Sequence, residues 1–264
     1  MRAFIINLDT APDRWSFVQH SFASSQLELC RVPAVDAKLL TFPHRDYSEQ
    51  LYRWFHGRTP NPRELACYLS HLKAIESFLA GNESHAVIAE DDIVLRPDFD
   101  SALQGALRYS RIWNILRLTG LSSGYPVRIA KVYRQYSLCI NLARLKGAGA
   151  YVIDRRAARA LLAHLRPMRL PYDHAIDREW LWGLRAASIQ PFPVSQTESD
   201  LLSSVQPGTY PKLSRRHRFL GTYPYQALNE LSRWHFRGFY SLRLLSSPPP
   251  QPATAKEEHP AELP

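Results

Sequence analysis

The chain has 264 residues, 45% of them hydrophobic, and carries 33 Lys and Arg against 24 Asp and Glu, a net charge of +9. That is ample for a core, in one large α/β domain or two small ones, and the positive balance suits an anionic partner. Cys30, Cys67 and Cys139 are widely spaced, which argues against a disulfide scaffold and a zinc site and for a reducing cytoplasm.

In chain order, residues 4–8 read as a first strand, and Pro12 suits an early position in the helix carrying Trp15, Val18 and Phe22. A second strand over 28–32 leads to Asp36. Residues 39–63 are aromatic, basic and punctuated by Pro and Gly, so an irregular insertion is expected there. A helix then runs from Pro62 through Leu65, Leu69, Leu72, Ile75 and Leu79, closed by Gly81-Asn82. After a buried strand over 86–89 come a helix over 99–109, a strand over 113–118 and a β excursion over 127–138. The loop holding Gly147 and Gly149 enters another strand, followed by helices over 155–164 and 175–184 and a last strand over 189–194. This alternation predicts an α/β fold with a mostly parallel sheet covered on both faces. Met1-Arg2 opens directly onto an apolar run too short for a secretory leader, and no run reaches the ~20 apolar residues that cross a bilayer. The expectation is a soluble or membrane-peripheral protein.

Glu90-Asp91-Asp92 is the most informative stretch. Three adjacent acids beside a core are costly unless a cation or hydrogen-bond donors compensate them. At the rim of an α/β sheet they suit a hard divalent metal carrying a diphosphate; a solvated acidic turn is the alternative.

Between positions 212 and 243 stand Lys212, Arg215, Arg216, Arg218, Arg233, Arg237 and Arg243, against the single acid Glu230. Phe219, Tyr223, Tyr225, Trp234, Phe236, Phe239 and Tyr240 interleave with them. The mixture fits an interfacial segment on an anionic membrane surface, with a solvated basic face as the alternative. No RNA-binding signature accompanies it, so no nucleic acid is expected. From position 246 the Pro-rich, acidic tail reads as disordered.

Four segments keep the order of a known family. They are Ile6-Asn7-Leu8-Asp9 with Arg14 and the later Asp36; residues 64–71, ending in Ser70-His71; Glu90-Asp91-Asp92; and residues 147–153 followed by Pro171-Tyr172-Asp173. Over about residues 3–206 they resemble glycosyltransferase family 25, the lipooligosaccharide galactosyltransferase group, whose relatives include collagen galactosyltransferases. Ala89 stands where relatives often carry a bulkier apolar residue.

The resemblance implies a GT-A-like catalytic domain over 1–208, then the basic aromatic segment over 209–245 and the tail over 246–264. It also implies Mn²⁺ or Mg²⁺ and a UDP-sugar donor, with galactose transferred by inversion to give a β linkage. The acceptor would be a lipid-linked lipopolysaccharide or lipooligosaccharide core, met on the inner face of the bacterial inner membrane. A non-catalytic carbohydrate- or nucleotide-binding adaptor is the alternative, and the retained carboxylates argue against it.

Asp92 is the first candidate metal ligand and Glu90 the second, because residues two apart on an extended segment point the same way. Asp91 suits ribose or sugar hydroxyls. Asn7 suits uracil or ribose, and Arg14 a forked phosphate contact or a surface ion pair. Asp36 suits ribose or a turn. By spacing alone His71 is an interior group; with the resemblance it becomes, beside Ser70, a sugar or phosphate contact. Gly147 and Gly149 let backbone approach the donor or simply shape a loop. Asp173 is the candidate general base, with a metal or acceptor contact as the alternative, and Asp177 is its backup. Gln196 and Ser199-Asp200 would close over the donor.

Overall fold

Along the first strand, β1 (Arg2–Asn7), Ala3 and Ile5 enter one apolar layer while Phe4 and Ile6 enter the other. A strand that is apolar on both faces must lie inside a sheet covered on both sides. The computed structural model, which describes residues 1–59, 61–196 and 211–246, has that layout.

After β1 come α1 (Pro12–Ser21), β2 (Glu28–Pro33), α2 (Glu49–His56), α3 (Pro62–Leu79), β3 (His85–Glu90) and β4 (Ile93–Leu95). Next are α4 (Phe99–Leu107), β5 (Ile115–Arg117), the hairpin β6 (Pro126–Tyr133) and β7 (Tyr136–Asn141), β8 (Ala150–Asp154) and α5 (Arg155–His164). Then follow α6 (Tyr172–Ile176), β9 (Ala186–Gln190), β10 (Val194–Gln196), α7 (Arg215–His217) and α8 (Tyr223–Ser246).

Eight strands form one sheet in the order β2-β1-β3-β8-β5-β9-β7-β6, and β4 pairs with β10 beside it. One face packs Tyr68, Leu72 and Ile75 of α3 with Leu161 of α5 and Tyr172 of α6. The other packs Val18 of α1 and Leu103 of α4, with Tyr240 and Leu244 of α8 at its margin.

The α/β class and the helix-flanked sheet agree with expectation, but the sheet is mixed rather than mostly parallel. β1 runs parallel to β2 and β3, and β5 to β9, whereas β8 is antiparallel to both its neighbours and β6-β7-β9 are antiparallel in turn. Alternating strands and helices read as parallel crossovers, yet no helix precedes β7 or β8.

Three local readings also differ. The stretch expected to be irregular contains α2, ended by Gly57 in the left-handed region at φ 72°. The helix expected over 175–184 is the short α6 followed by a 3₁₀ turn, Glu179–Trp182. The last strand is two, β9 and β10.

The C-terminal basic segment is built largely into a helix, and part of its charge faces the core. Arg233, Arg237 and Ser241 recur every four residues on the buried face of α8. Arg237 donates to Asp177 at 2.8 Å and to both oxygens of Glu179, and Arg233 pairs with Asp177 at 3.1 Å and with Glu230. These two arginines therefore belong to a buried ion cluster and are unavailable to a membrane. The outward face carries Leu228, Leu231, Phe239 and Leu242 instead. The boundary at 208, Ser199-Asp200 and the tail from 247 lie outside the described residues.

Candidate active site

The acidic triplet sits where β3 ends and the chain turns into β4, facing the end of β1 and the start of α1. Asn7 is buried there, donating through Nδ2 to Asp91 Oδ2 at 2.7 Å and to the Ala11 carbonyl at 3.1 Å. Its Oδ1 accepts from Arg31 Nε at 2.8 Å, so both ends of the amide are engaged. Arg14 ion-pairs with Asp91 and lies 3.9 Å from Asp92. Asn7 and Arg14, expected at the nucleotide, thus hold the acidic turn in place.

Burial pushes the Asp91 carboxyl up, against the Asn7 hydrogen bond and Arg14. Burial and then the neighbouring Glu90 charge push Asp92 further, to about 7, with Arg14 and Gln196 opposing. Glu90, Asp91 and Asp92 are hard oxygen donors in mutual repulsion, a set that matches Mn²⁺ or Mg²⁺. Among the described residues, the potential ligand atoms that gather within 4.8 Å of one another are those of Cys67, His71 and Glu90, so Glu90 is common to that cluster and to the acidic turn.

Glu90 also faces α3. Its Oε1 lies 3.3 Å from His71 Nε2 and 3.8 Å from Cys67 Sγ. A carboxylate only accepts, so His71 donates to it through Nε2, while its Nδ1 meets the Tyr151 hydroxyl at 3.1 Å. Tyr151 in turn meets the Tyr172 hydroxyl at 2.7 Å, and the His71 ring stacks on Tyr172 at 4.0 Å. His71 is thus both an interior histidine and a partner of the acidic motif. Burial holds the Cys67 thiol well above its usual range, and the charges of Glu90 and Asp173 add to that, so it stays protonated.

Asp173 opens α6 and accepts from the Gly147 N–H and from its neighbour's N–H at His174, each at 3.0 Å. Burial alone would raise its carboxyl. His174, the Gly147 N–H, Arg117 and Arg144 outweigh burial and hold it below the ordinary aspartate value. Gly147 needs its φ of 80°, which glycine adopts without strain. The Gly149 carbonyl accepts from Glu90 N–H at 2.8 Å, and a Cβ at Gly149 would stand 2.6 Å from Gln196 Nε2 and so displace that side chain. Gln196 lies against Gly149 and hydrogen-bonds Asp92.

Other candidates lie in supporting positions. Ser70 accepts from Val35 N–H at 2.8 Å and donates to the Ala66 carbonyl, tying α3 to the loop before Asp36. Asp36 caps the turn Ala37–Leu39 by accepting from Lys38 N–H. The Asp177 carboxylate is engaged by Arg233 and Arg237. Cys67, Tyr151 and Tyr172 stand inside the segments that carry the resemblance but have no role assigned from sequence, and Arg117 and Arg144 lie outside those segments. All but Arg144 fall on core-facing positions of helices or strands, where spacing reveals burial but not partners. No helix among the described residues is long and apolar enough to cross a membrane.

Residues 1–176 match the model of glycosyltransferase family 25 (LPS biosynthesis protein). A glycosyltransferase 25 family member of Aedes aegypti is 30% identical over 101 residues, which span 36% of this chain and 17% of that protein. Among solved structures, the inositol-1-phosphate CTP transferase from T. maritima aligns at 11% identity and a TM-score of 0.39, over 77% of this chain and 91% of its own. Mannose-1-phosphate geranyltransferase from Thermus thermophilus aligns at 12% identity and a TM-score of 0.34, over 74% and 75%. With Asn7, His71, the acidic triplet and Asp173 all inside the matched residues, the chain belongs to glycosyltransferase family 25.

Proposed function

We propose that the protein transfers a sugar from a nucleotide diphosphate donor to a saccharide acceptor. The observation that carries this reading is the acidic turn, with Glu90 and Asp92 in mutual repulsion beside Gln196 and Gly149, in a chain of this family. The family's description as an LPS biosynthesis protein supports a lipopolysaccharide or lipooligosaccharide core as acceptor. UDP-galactose is the donor proposed by the same resemblance, transferred with inversion to a β linkage on a GT-A-like scaffold. Mn²⁺ or Mg²⁺ held by Asp92 and Glu90 would supply positive charge against the departing diphosphate.

The chain's own residues divide the rest of the work. Asn7 and Arg14 fix Asp91, so the turn keeps its shape when ligand arrives. His71 and Cys67 hold one oxygen of Glu90, leaving the other to face the donor. Asp173 is ionised at neutral pH and takes the acceptor hydroxyl's proton. Its low pKa makes it a weak base, so its two backbone hydrogen bonds contribute through placement more than through proton affinity. A lipid-linked acceptor places the enzyme at the cytoplasmic face of the bacterial inner membrane, with the outward face of α8 on the lipid.

A donor screen tests the reading. Nucleotide release from UDP-galactose and other nucleotide sugars is measured on the full chain, with a core oligosaccharide and with or without Mn²⁺. Release that needs both acceptor and cation supports it. No release from any nucleotide sugar sinks it.

A further inference from the structure

Arg117 ends β5, in register with Tyr151 on β8. Ile115, two residues earlier, packs into the layer of α3 and α6, and side chains two apart on a strand share a face. The Arg117 side chain therefore lies beneath Tyr151, Tyr172 and Asp173. It is 2% exposed, and its Nε and Nη2 are buried with no hydrogen-bond partner among the described residues. Arg144 approaches the same place with a buried Nε also lacking a partner, and its Nη1 faces the ring nitrogen His174 Nδ1 at 3.3 Å. The neighbouring acid, Asp173, spends its hydrogen-bonding oxygens on the backbone of Gly147 and His174.

Asp173 faces Arg117 with its charge but makes no hydrogen bond to it, and buried guanidinium N–H donors left without acceptors are among the costlier groups a core can hold. Such local cost persists where a site needs the group for a ligand. The guanidinium fork suits the paired oxygens of a phosphate or carboxylate, and Arg144 and the turn at Gly147 add positive charge and a close backbone. We propose that Arg117 and Arg144 form an oxyanion subsite beside Asp173 that takes a phosphate or carboxylate group of a substrate. The assignment of that substrate rests on the transferase reading: the oxyanion belongs to the donor diphosphate or to an acidic sugar of the acceptor. The subsite itself does not rest on it, because binding can be read without turnover.

The test uses the full chain with Arg117→Met and Arg117→Lys. Thermal unfolding is followed alone and with inorganic phosphate or glucuronate, and binding of UDP and of uridine is measured by calorimetry. Arg117→Met removes buried donors that lack acceptors but also a charge that Asp173 faces, so its midpoint without anions serves as the reference from which its anion response is read. If the donor supplies the oxyanion, UDP binding falls about tenfold to a hundredfold while uridine binding is unchanged. If the acceptor supplies it, UDP binding is unchanged and the stabilisation by phosphate or glucuronate disappears. Arg117→Lys keeps the charge without the fork and should retain a partial response, which serves if the Met variant does not fold. Retention of every anion response by the variants overturns the subsite. Failure to detect sugar transfer leaves these readings intact, so the two ideas fail separately.

Discussion

Arg237 on α8 and Asp177, just after α6, stand 2.8 Å apart with both side chains buried, and Glu179 completes the contact at 2.7 Å. Removing one member of such a cluster leaves its partners buried and uncompensated. Arg237→Met should therefore cost about 3–5 kcal/mol of stability, read from the urea midpoint. Asp177→Asn should also destabilise, while leaving turnover per folded molecule nearly unchanged. A stable Asp177→Asn protein with lost turnover would return Asp177 to the catalytic candidates.

Asp92→Asn removes a carboxyl that burial and the Glu90 charge push up to about 7. The folded protein then holds that proton more tightly than the unfolded chain, so in chelator its stability falls as pH rises from about 4 to about 7. Asp92→Asn should flatten this decline and lose most of the response to Mn²⁺. Thermal melts across pH in chelator, with and without added Mn²⁺, read both effects. Unaltered Mn²⁺ activation in Asp92→Asn would end the metal assignment.

The main layers were legible because period-two and helical patterns report burial directly. Pro62 after Asn61 marks the start of α3, and Gly57 marks the end of α2, although the aromatic stretch between 47 and 55 concealed that helix. Glu90-Asp91-Asp92 was legible because three acids at the end of an apolar strand need compensation. The partners were not. His71 reaches Glu90 across 19 positions, and Arg237 reaches Asp177 across 60. Local spacing carries no trace of either contact. The i,i+4 row of Arg233, Arg237 and Ser241, opposite Leu231, Phe239 and Leu242, was the available hint that the charges of α8 turn inward.

His56 supplies a second pH dependence. Its ring packs edge-on against His174 at 5.3 Å, and burial followed by the His174 charge lowers its pKa to about 3. The unfolded chain binds this proton near pH 6.5, so the contribution is complete above that value and is lost as pH falls toward 3. The loss is on the order of a few kcal/mol. His56→Phe should remove it, flattening unfolding midpoints between pH 6.5 and 4. An equally acid-sensitive variant would mean that His56 is not the sensor.

Asp173→Asn should lower turnover by roughly 10²- to 10⁴-fold while changing UDP affinity little. The asparagine oxygen can still accept from Gly147, so the turn is retained. Calorimetry with UDP and single-turnover assays separate the two effects. Lost UDP binding with intact chemistry would make Asp173 a donor contact instead of the base.

The outward face of α8 is the final test. Leu228, Leu231, Phe239 and Leu242 are each about two-thirds exposed, and Phe219 and Leu220 extend the surface past the start of the helix. Lys212, Arg215 and Arg216 are exposed near that start and Arg243 near its end, while the helix's one acid, Glu230, pairs inward with Arg233. Apolar side chains bordered by outward cations, with the anions turned inward, fit an anionic lipid surface. The face touches the loop that runs from Leu121 to Tyr125. Trp234 meets Tyr125 with ring centres 6.4 Å apart, and Leu121 lies against Gly147, whose N–H holds Asp173. Full-length protein should co-sediment with phosphatidylglycerol-containing vesicles and be only partly released by salt. Phe239→Ser with Leu242→Ser should weaken partitioning by at least about tenfold at any salt concentration. Arg215→Gln with Arg216→Gln should weaken it about twentyfold at low salt and blunt its salt dependence. Vesicle binding unchanged in both variants would exclude the lipid assignment. A stable dimer in solution that Leu231→Ser dissociates would assign the face to a second copy of the chain.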